Sequence, residues 1–220
     1  RKELLWPYLD ELADLLVNHL LQQEHFPDWI HAHYADAGYV GALISRRLGI
    51  PLVFTGHSLG REKQRRMLAA GIDHNQIEQS FSISRRIEAE EVALSHSSLV
   101  VTSTRQEADQ QYLRYAKSIN GILEVIPPGV DSKRFHKTSI SSEDKLINDL
   151  MNPFLRDSSL PPLLTISRAV QRKNIPTLVE VFGRSSVLRQ RYNLVLVLGC
   201  RDEFGSLEKQ QRDIFQHILE

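Results

Sequence analysis

The stretch PDWIHAHYADAGYVGALISRRLGIPLVFTG, residues 27–56, decides the fold class of this 220-residue chain. Short apolar runs typical of buried strands stand at both ends, and between them apolar residues recur at helical spacing. That apolar face is formed by Val40, Leu43, Ile44 and Leu48. Asp36 is able to cap the helix at its start, and Gly49 ends it. The stretch therefore predicts a βαβ unit, whose two strands run in parallel with a right-handed crossover.

The same alternation continues along the rest of the chain. Further strands are predicted at SLVVTS, LEVIPPG, PLLTIS and NLVLVLG, and further helices at about residues 79–95, after TRQE, at NIPTLVEVFGRS and near 207–220. Thr104 and Glu107 in TRQE have capping-box spacing. The polar region 136–159 is interpreted as a crossing between domains that holds one short helix. We therefore expect an α/β protein with two parallel-sheet domains, at 1–137 and 159–220, joined by a linker at 138–158.

Composition limits the classes of partner. Lys plus Arg number 27 and Asp plus Glu number 27, so no global charge favours nucleic acid or an anionic membrane. The only cysteine, Cys200, excludes an intramolecular disulfide framework and fits a reducing compartment, so we expect a cytoplasmic protein. No apolar run has the length of a membrane span.

Ser58 lies in GHSLG, residues 56–60, which has the letter pattern of a serine-hydrolase nucleophile elbow. In such an elbow the helix after the serine packs beneath the sheet and must be apolar. Here GHSLG is followed by REKQRR, residues 61–66, and burying this segment would leave several charged side chains without partners. The context therefore disfavours a hydrolase, and an ordinary βα loop without chemistry is the other alternative.

Cations are concentrated near the end of the second predicted strand. They are Arg61, Lys63, Arg65 and Arg66, together with Arg85 and Arg86 in SRRIEAEE. Converging Arg and Lys side chains bind phosphate through charge-assisted hydrogen bonds. The same residues also have partners at helical spacing in Glu62, Glu88, Glu90 and Glu91, as on a solvated helix face. The residues alone leave the two interpretations open.

The loop RAVQRK, residues 168–173, connects a strand to a helix. Ser167 precedes the loop, which contains Arg168, Arg172 and Lys173, and Asn174 after it is a candidate cap. A helix N-terminus favours anions, and two cations beside it favour a diphosphate site. An ordinary basic connection is the alternative.

Histidines follow the first and second predicted strands. His31 and His33 alternate on one strand, so both rings face the same side, and His57 follows the next strand. A third protein ligand at suitable spacing is missing, so we expect no metal site. His33 and His57 are interpreted as neutral hydrogen-bonding groups that line a crevice.

Several of these segments together resemble one enzyme family. HAHYADAGYVGALIS, GIPLVFTGHSLGREK, SRRIEAEE, VVTSTRQE, VIPPGVD and SRAVQRKNIPTLVEVF are similar, in order, to the sucrose-phosphate synthase family of retaining glycosyltransferases. The similarity runs from about His31 to Asp202. It implies the GT-B fold, in which two Rossmann-like domains bind fructose 6-phosphate and a nucleotide sugar, usually UDP-glucose.

The resemblance also implies a role for each candidate residue. His57 would lie beside the transferred glucose, and Lys63 and Arg86 would bind the acceptor phosphate, with His33 on the acceptor side. Ser167, Arg168 and Lys173 would bind the nucleotide sugar, and His57, Arg168 and Lys173 are the expected catalytic residues. No tightly bound cofactor and no Mg²⁺ are expected, and a sucrose-phosphate phosphatase domain or partner is an expected association.

The chain departs from the family pattern in two ways. Val170 stands where the family often has an acidic residue, and Arg172 occupies one basic position. The glycine-rich loop and the Glu-x7-Glu motif of the family have no counterpart, so we expect both domains to be incomplete, with exposed apolar faces, and the chain alone to be inactive.

Overall fold

A computed structural model describes residues 2–136, 142–199, 207 and 209–219 of the chain. The chain forms two compact units, Arg1–Ser132 and Lys133–Glu220. Cys200, Asp202 and the first residues of the predicted linker, 138–141, lie outside the described residues.

The first unit is built on a parallel sheet of four strands. They are β1 (Ile30–His33), β2 (Leu52–Thr55), β3 (Ser97–Thr102) and β4 (Ile122–Val125). The order in the sheet is β1-β2-β3-β4, the same as in the sequence. All three pairings are parallel, as the alternation of strands and helices predicts.

Six α-helices accompany this sheet. They are α1 (Leu9–Leu21), α2 (Tyr34–Leu48), α3 (Gly60–Ala69), α4 (His74–Phe81), α5 (Ile83–His96) and α6 (Arg105–Gln110). Short 3₁₀ helices cover Lys2–Tyr8 and Tyr112–Tyr115. The helix α2 connects β1 to β2 and packs on α5, so residues 27–56 form the predicted βαβ unit.

The ends of α2 follow the sequence prediction only in part. Gly49 ends the helix in the left-handed conformation, with φ of 70°, as predicted. The proposed cap at Asp36 is wrong, because α2 begins at Tyr34 directly after β1 and places Asp36 in the first turn. There the carboxylate interacts favourably with the helix dipole without capping the backbone.

The single helix predicted at about residues 79–95 is divided in two. Ser82 adopts the left-handed conformation, with φ of 43°, between α4 and α5. The Glu78 carboxylate then accepts hydrogen bonds from the Ser84 amide at 3.0 Å and the Ser84 hydroxyl at 2.8 Å. This side-chain contact holds the backbone at the start of α5, and helical periodicity alone does not reveal it.

Thr104 caps α6 as predicted. Its hydroxyl accepts the Glu107 amide at 3.1 Å. The Glu107 carboxylate reaches back one residue further than a standard capping box, to the Ser103 amide at 2.9 Å. The loop after β3 is therefore fixed by hydrogen bonds from both sides.

The second unit contains a two-stranded parallel sheet. Its strands are β5 (Pro162–Arg168) and β6 (Asn193–Gly199), and its helices are α7 (Ser142–Met151), α8 (Ile175–Arg184), α9 (Ser186–Arg191) and α10 (Lys209–Leu219). Leu164 and Ile166 on β5 are 53% and 72% exposed. Apolar sheet surface is therefore exposed in this unit, as expected from the sequence. None of the helices in the described ranges is long and apolar enough to cross a membrane.

The helix α2 lies close to the sheet at Gly38. A Cβ atom at this position would lie 2.4 Å from Phe54 Cε2 and 3.0 Å from Ala93 Cβ. Phe54 and Ala93 are fully buried in the core, so neither has room to move aside. Only glycine allows this close approach of helix and sheet.

We predict that Gly38→Ala lowers the free energy of unfolding of the first unit by about 1–2 kcal/mol, because overpacking outweighs the gain in helix propensity. Urea unfolding followed by tryptophan fluorescence measures it, since both tryptophans, Trp6 and Trp29, lie in this unit. The control is Gly129→Ala, where a Cβ atom meets nothing within 4 Å. A Gly38→Ala protein as stable as the control would contradict the close packing.

Candidate functional site

The carboxyl ends of β1 and β2 lie side by side. His33, the last residue of β1, is the register partner of Thr55, the last residue of β2. The residues that follow, Tyr34 and the loop from Gly56 to Gly60, therefore leave the sheet at the same edge. In an open parallel sheet this edge is where ligands bind.

Three imidazoles meet at this edge. The rings of His31 and His33 lie 4.2 Å apart and those of His33 and His57 lie 5.0 Å apart. A hydrogen bond of 2.8 Å joins His33 Nδ1 to His57 Nε2, and another of 2.9 Å joins His31 Nε2 to Thr55 Oγ1. The strand alternation predicted that His31 and His33 face the same side, and β2 brings His57 to them.

Protonation of His31 and His57 is disfavoured. Partial burial, and then the charge of neighbouring His33, lower the pKa of both His31 and His57 from 6.5. Near neutral pH they are therefore hydrogen-bonding groups without charge. Among the residues that the structure describes, no group of three His, Cys, Asp or Glu side chains is placed to hold a metal ion.

Two residues of this edge have left-handed backbones although neither is glycine. Tyr34 has φ of 68° and His57 has φ of 56°, and their rings lie 4.8 Å apart. Such conformations cost energy in bulky residues and persist where surrounding contacts enforce them. The loop around His57 must therefore be held by the rest of the unit.

Buried polar side chains of the core form hydrogen bonds to the backbone of that loop. Tyr112 Oη accepts the Gly56 amide at 2.9 Å, and both oxygens of Glu90 accept the Gly60 amide, at 2.7 and 3.0 Å. Tyr115 Oη accepts the Arg61 amide at 3.0 Å. Burial raises the pKa of Tyr112 to about 12 and raises the pKa of Glu90. The amides of Gly56, Gly60 and Arg61 are thus each satisfied by a side chain of the core.

Arg86 completes this set of contacts. Its Nε donates to Glu90 Oε1 at 2.9 Å, and one of its Nη atoms donates to the carbonyl oxygen of Ser58. The guanidinium is mostly buried, with 20% of the side chain exposed. Arg86 therefore connects the buried carboxylate to the loop beside His57.

Ser58 lacks the surroundings of a nucleophile. The hydrogen bond described for its hydroxyl oxygen is a long one, 3.5 Å, from Arg86, and the neighbouring His57 ring bonds to His33 instead. In a Ser-His-Asp triad the serine hydroxyl bonds to the histidine that acts as its base. The left-handed residue of the loop is also His57 rather than Ser58. The geometry agrees with the sequence context in disfavouring a hydrolase.

Most cations of the first unit have acidic partners. The ion pairs are Arg47–Asp14, Arg61–Glu91, Arg65–Glu62, Arg66–Glu62, Arg85–Glu88, Arg86–Glu90 and Arg114–Glu62. Of the six cations that the sequence placed near the second strand, five therefore form ion pairs, as the alternative of a solvated helix face predicts. The sixth, Lys63, is half-buried, and its ammonium lies 3.6 Å from the centre of the Phe81 ring.

The basic loop of the second unit follows β5. Arg168 is the last residue of that strand, and a 3₁₀ turn, Gln171–Lys173, leads to Asn174. The predicted cap is only partly correct, because Asn174 is the N-cap residue in the left-handed conformation but its Oδ1 accepts from the Thr177 hydroxyl at 2.8 Å. The Asn174 side chain therefore accepts no hydrogen bond from a backbone amide of α8. The Ser167 hydroxyl donates to the carbonyl oxygen of Arg168 at 3.3 Å.

The cations of this loop differ from those of the first unit. Arg168, Arg172 and Lys173 are exposed, and their side chains form no hydrogen bond or ion pair with another described residue. Because these three cations have no carboxylate partner among the described residues and lie next to a helix N-terminus, they favour the binding of an anion. This loop is the more open of the two candidate sites to a phosphate.

Sequence reasoning named Glu90 as a partner on a solvated helix face and missed its burial, and it did not name Tyr112 or Tyr115. Glu90 occupies a position of the apolar stripe on α5, four residues before Leu94 and three after Ile87. A carboxylate in such a stripe is a local signal of a buried acid with partners. Tyr112 and Tyr115 gave no comparable local signal, because their contacts come from distant parts of the chain.

Comparison with known proteins adds the family context. Residues 4–134 match the family described as Glycosyltransferase Family 4. The chain is 34% identical over 261 residues to a probable sucrose-phosphate synthase 2 of Arabidopsis thaliana and 35% identical over 271 residues to a sucrose-phosphate synthase of Zea mays. These alignments cover 99% and 100% of the chain, which spans about a quarter of each relative, 25%. The resemblance inferred from the sequence is confirmed.

Solved structures share the fold. A sucrose-phosphate synthase from Thermosynechococcus elongatus matches all of the chain with a TM-score of 0.67 and 23% identity. Anabaena HepE, in complex with UDP and glucose, matches 97% of the chain with a TM-score of 0.57 and 17% identity. The chain covers 48% of each structure. The predicted fold class, α/β with parallel sheets of the GT-B type, is confirmed, and the chain contains part of that fold.

We predict that His33→Asn raises the pKa of both His31 and His57, because it removes a neighbouring imidazole whose charge opposes their protonation. Below pH 6.5 the folded unit binds fewer protons at His31 and His57 than the unfolded chain does, so its free energy of unfolding falls as the pH is lowered. His33→Asn should make this fall in the free energy of unfolding smaller. NMR titration of the histidine Cε1 protons gives the pKa values, with His19→Asn on α1 as the control. Unchanged midpoints in His33→Asn would contradict the contact.

Proposed function

The chain belongs to glycosyltransferase family 4, and on that premise we propose that it is part of a sucrose-phosphate synthase. The reaction transfers glucose from a nucleotide sugar, UDP-glucose, to fructose 6-phosphate and gives sucrose 6-phosphate with retention at the anomeric carbon. The second unit binds the nucleotide sugar in this proposal, and the first unit binds the acceptor.

The observation that carries the proposal is the basic loop after β5. Arg168, Arg172 and Lys173 have no acidic partner among the described residues, and the N-terminus of α8 follows them. A diphosphate supplies the negative charge and the hydrogen-bond acceptors that such a loop lacks. The fold likeness to a protein in complex with UDP and glucose supports a nucleotide diphosphate as the ligand.

The charges of this loop account for catalysis. When glucose leaves UDP, negative charge builds up on the diphosphate, so fixed cations at Arg168 and Lys173 stabilise the transition state more than the ground state. Ser167 contributes a hydroxyl next to them. The acceptor hydroxyl attacks from the face that the diphosphate leaves, and this retains the configuration.

The acceptor is oriented by the first unit in this proposal. Lys63 and Arg86 bind the phosphate of fructose 6-phosphate, and His33 lies on the same side. His57 lies beside the transferred glucose as a neutral hydrogen-bonding group, which agrees with the lowered pKa of its imidazole. Holding the acceptor by its phosphate lowers the entropy cost of the correct attack angle.

The remaining features of the proposal follow from the resemblance and the composition. The enzyme uses no tightly bound cofactor and no Mg²⁺, acts in the cytoplasm, and works with a sucrose-phosphate phosphatase domain or partner.

A second candidate is a relative that binds sugar phosphates without transferring glucose. The observation in its favour is Val170, an apolar residue in the loop where the family often has an acidic one. Such a protein binds fructose 6-phosphate but releases no UDP from UDP-glucose in its presence.

We predict that Lys173→Ala in the full-length protein lowers kcat for glucosyl transfer by about 100-fold or more, because one fixed charge at the leaving group is lost. Sucrose 6-phosphate formation from UDP-glucose measures it, with ADP-glucose as a parallel donor. The matched control is Arg191→Ala, which removes an exposed cation of α9 in the same unit. Full activity of Lys173→Ala would remove the loop from the mechanism.

A further inference from the structure

The carboxylate of Glu90 has an unusual position for an acid. It is 0% exposed and lies among buried apolar residues of the first unit, next to Ala89 and Ala93. Desolvating a carboxylate is costly, and a well-packed apolar residue of similar volume is often at least as stable. Its contacts therefore indicate what the carboxylate does.

Each contact of Glu90 leads to the loop around His57. The carboxylate accepts the Gly60 amide directly and the Tyr115 hydroxyl, and that hydroxyl accepts the Arg61 amide. It also accepts Arg86 Nε, and Arg86 then donates to the Ser58 carbonyl oxygen. One buried group thus fixes Gly60 directly, Arg61 through Tyr115, and Ser58 through Arg86.

His57 lies between two fixed points. The Gly56 amide is bonded to Tyr112 on one side, and the Ser58 carbonyl is bonded to Arg86 on the other. An unconstrained histidine favours negative φ, so the observed φ of 56° requires that both neighbours stay in place. In this conformation the ring reaches His33 Nδ1 at 2.8 Å.

The same carboxylate orients the guanidinium of Arg86. Nε is directed to Glu90 and one Nη to Ser58, while the other Nη forms no hydrogen bond within the described part of the chain. Glu90 therefore fixes the plane of a guanidinium that retains donors for an anion.

We propose that Glu90 is a positioning residue, which through Gly60 and Arg86 holds His57 in its left-handed conformation and sets the plane of the Arg86 guanidinium. Glu90 does not touch substrate. The effect of Glu90 on catalysis rests on the proposed function, in which His57 contacts the glucose and Arg86 contacts the acceptor phosphate.

Glu90→Gln in the full-length protein tests this. The amide keeps the volume but places an N–H group where Gly60 and Arg86 also donate, so the loop contacts cannot all form. We expect kcat for transfer to fall about 100-fold, while KM for UDP-glucose changes by less than about threefold. The matched control is Glu88→Gln, an exposed acid of the same helix whose ion pair with Arg85 does not reach the loop.

A second readout does not depend on the proposed function. In protein labelled with ¹³C at histidine Cε1, the nuclear Overhauser effect between the His33 and His57 rings should be present in the wild type and Glu88→Gln and lost in Glu90→Gln. If Glu90→Gln does not fold, Arg86→Met keeps the carboxylate and breaks the link to Ser58, and it should lose the same signal.

The outcomes are distinct. A folded Glu90→Gln protein that keeps the signal between the two rings overturns the proposal, whatever its activity. If the wild type transfers no glucose but the signal depends on Glu90, the positioning role stands and the proposed function fails.

Discussion

The contact of the buried Glu90 carboxylate with the Gly60 amide is the interaction on which the candidate site depends. Both oxygens of the carboxylate reach that amide, and α5 carries it into the core from thirty residues further along the chain. The loop after β2 could otherwise leave the sheet edge in many conformations. With this contact, a helix packed on α2 determines where the His57 ring lies.

The two units use positive charge in different ways. In the first unit nearly every arginine near the loop after β2 has a carboxylate partner, so these arginines mainly stabilise the local structure. Glu62 alone pairs with three guanidiniums, and the hydrogen bonds from Arg65 and then Arg66 lower the pKa of its carboxylate to about 2. In the second unit Arg168, Arg172 and Lys173 have no described acidic partner. Clustered cations in a sequence therefore indicate a ligand only when their carboxylates are accounted for.

Local rules predicted the parts of the fold that local chemistry determines. The βαβ unit, the glycine end of α2 at Gly49 and the cap at Thr104 each follow from a few neighbouring residues. The break at Ser82 and the first turn at Asp36 were missed, because a side-chain contact and the absence of a loop after β1 decide them. The site divides in the same way. Strand alternation brought His31 and His33 together, whereas the supports of the loop around His57 come from residues 28 to 56 positions away. The roles of Lys63, Arg86, Arg168 and Lys173 toward substrates stay predictions.

Product analysis tests the central claim most directly. The full-length protein is incubated with α-configured UDP-glucose and fructose 6-phosphate, and the products are identified by NMR. We expect UDP and sucrose 6-phosphate in equal amounts, with the glucosyl residue still α-configured. Fructose 6-phosphate that binds without any release of UDP, or a β-linked product, would contradict it.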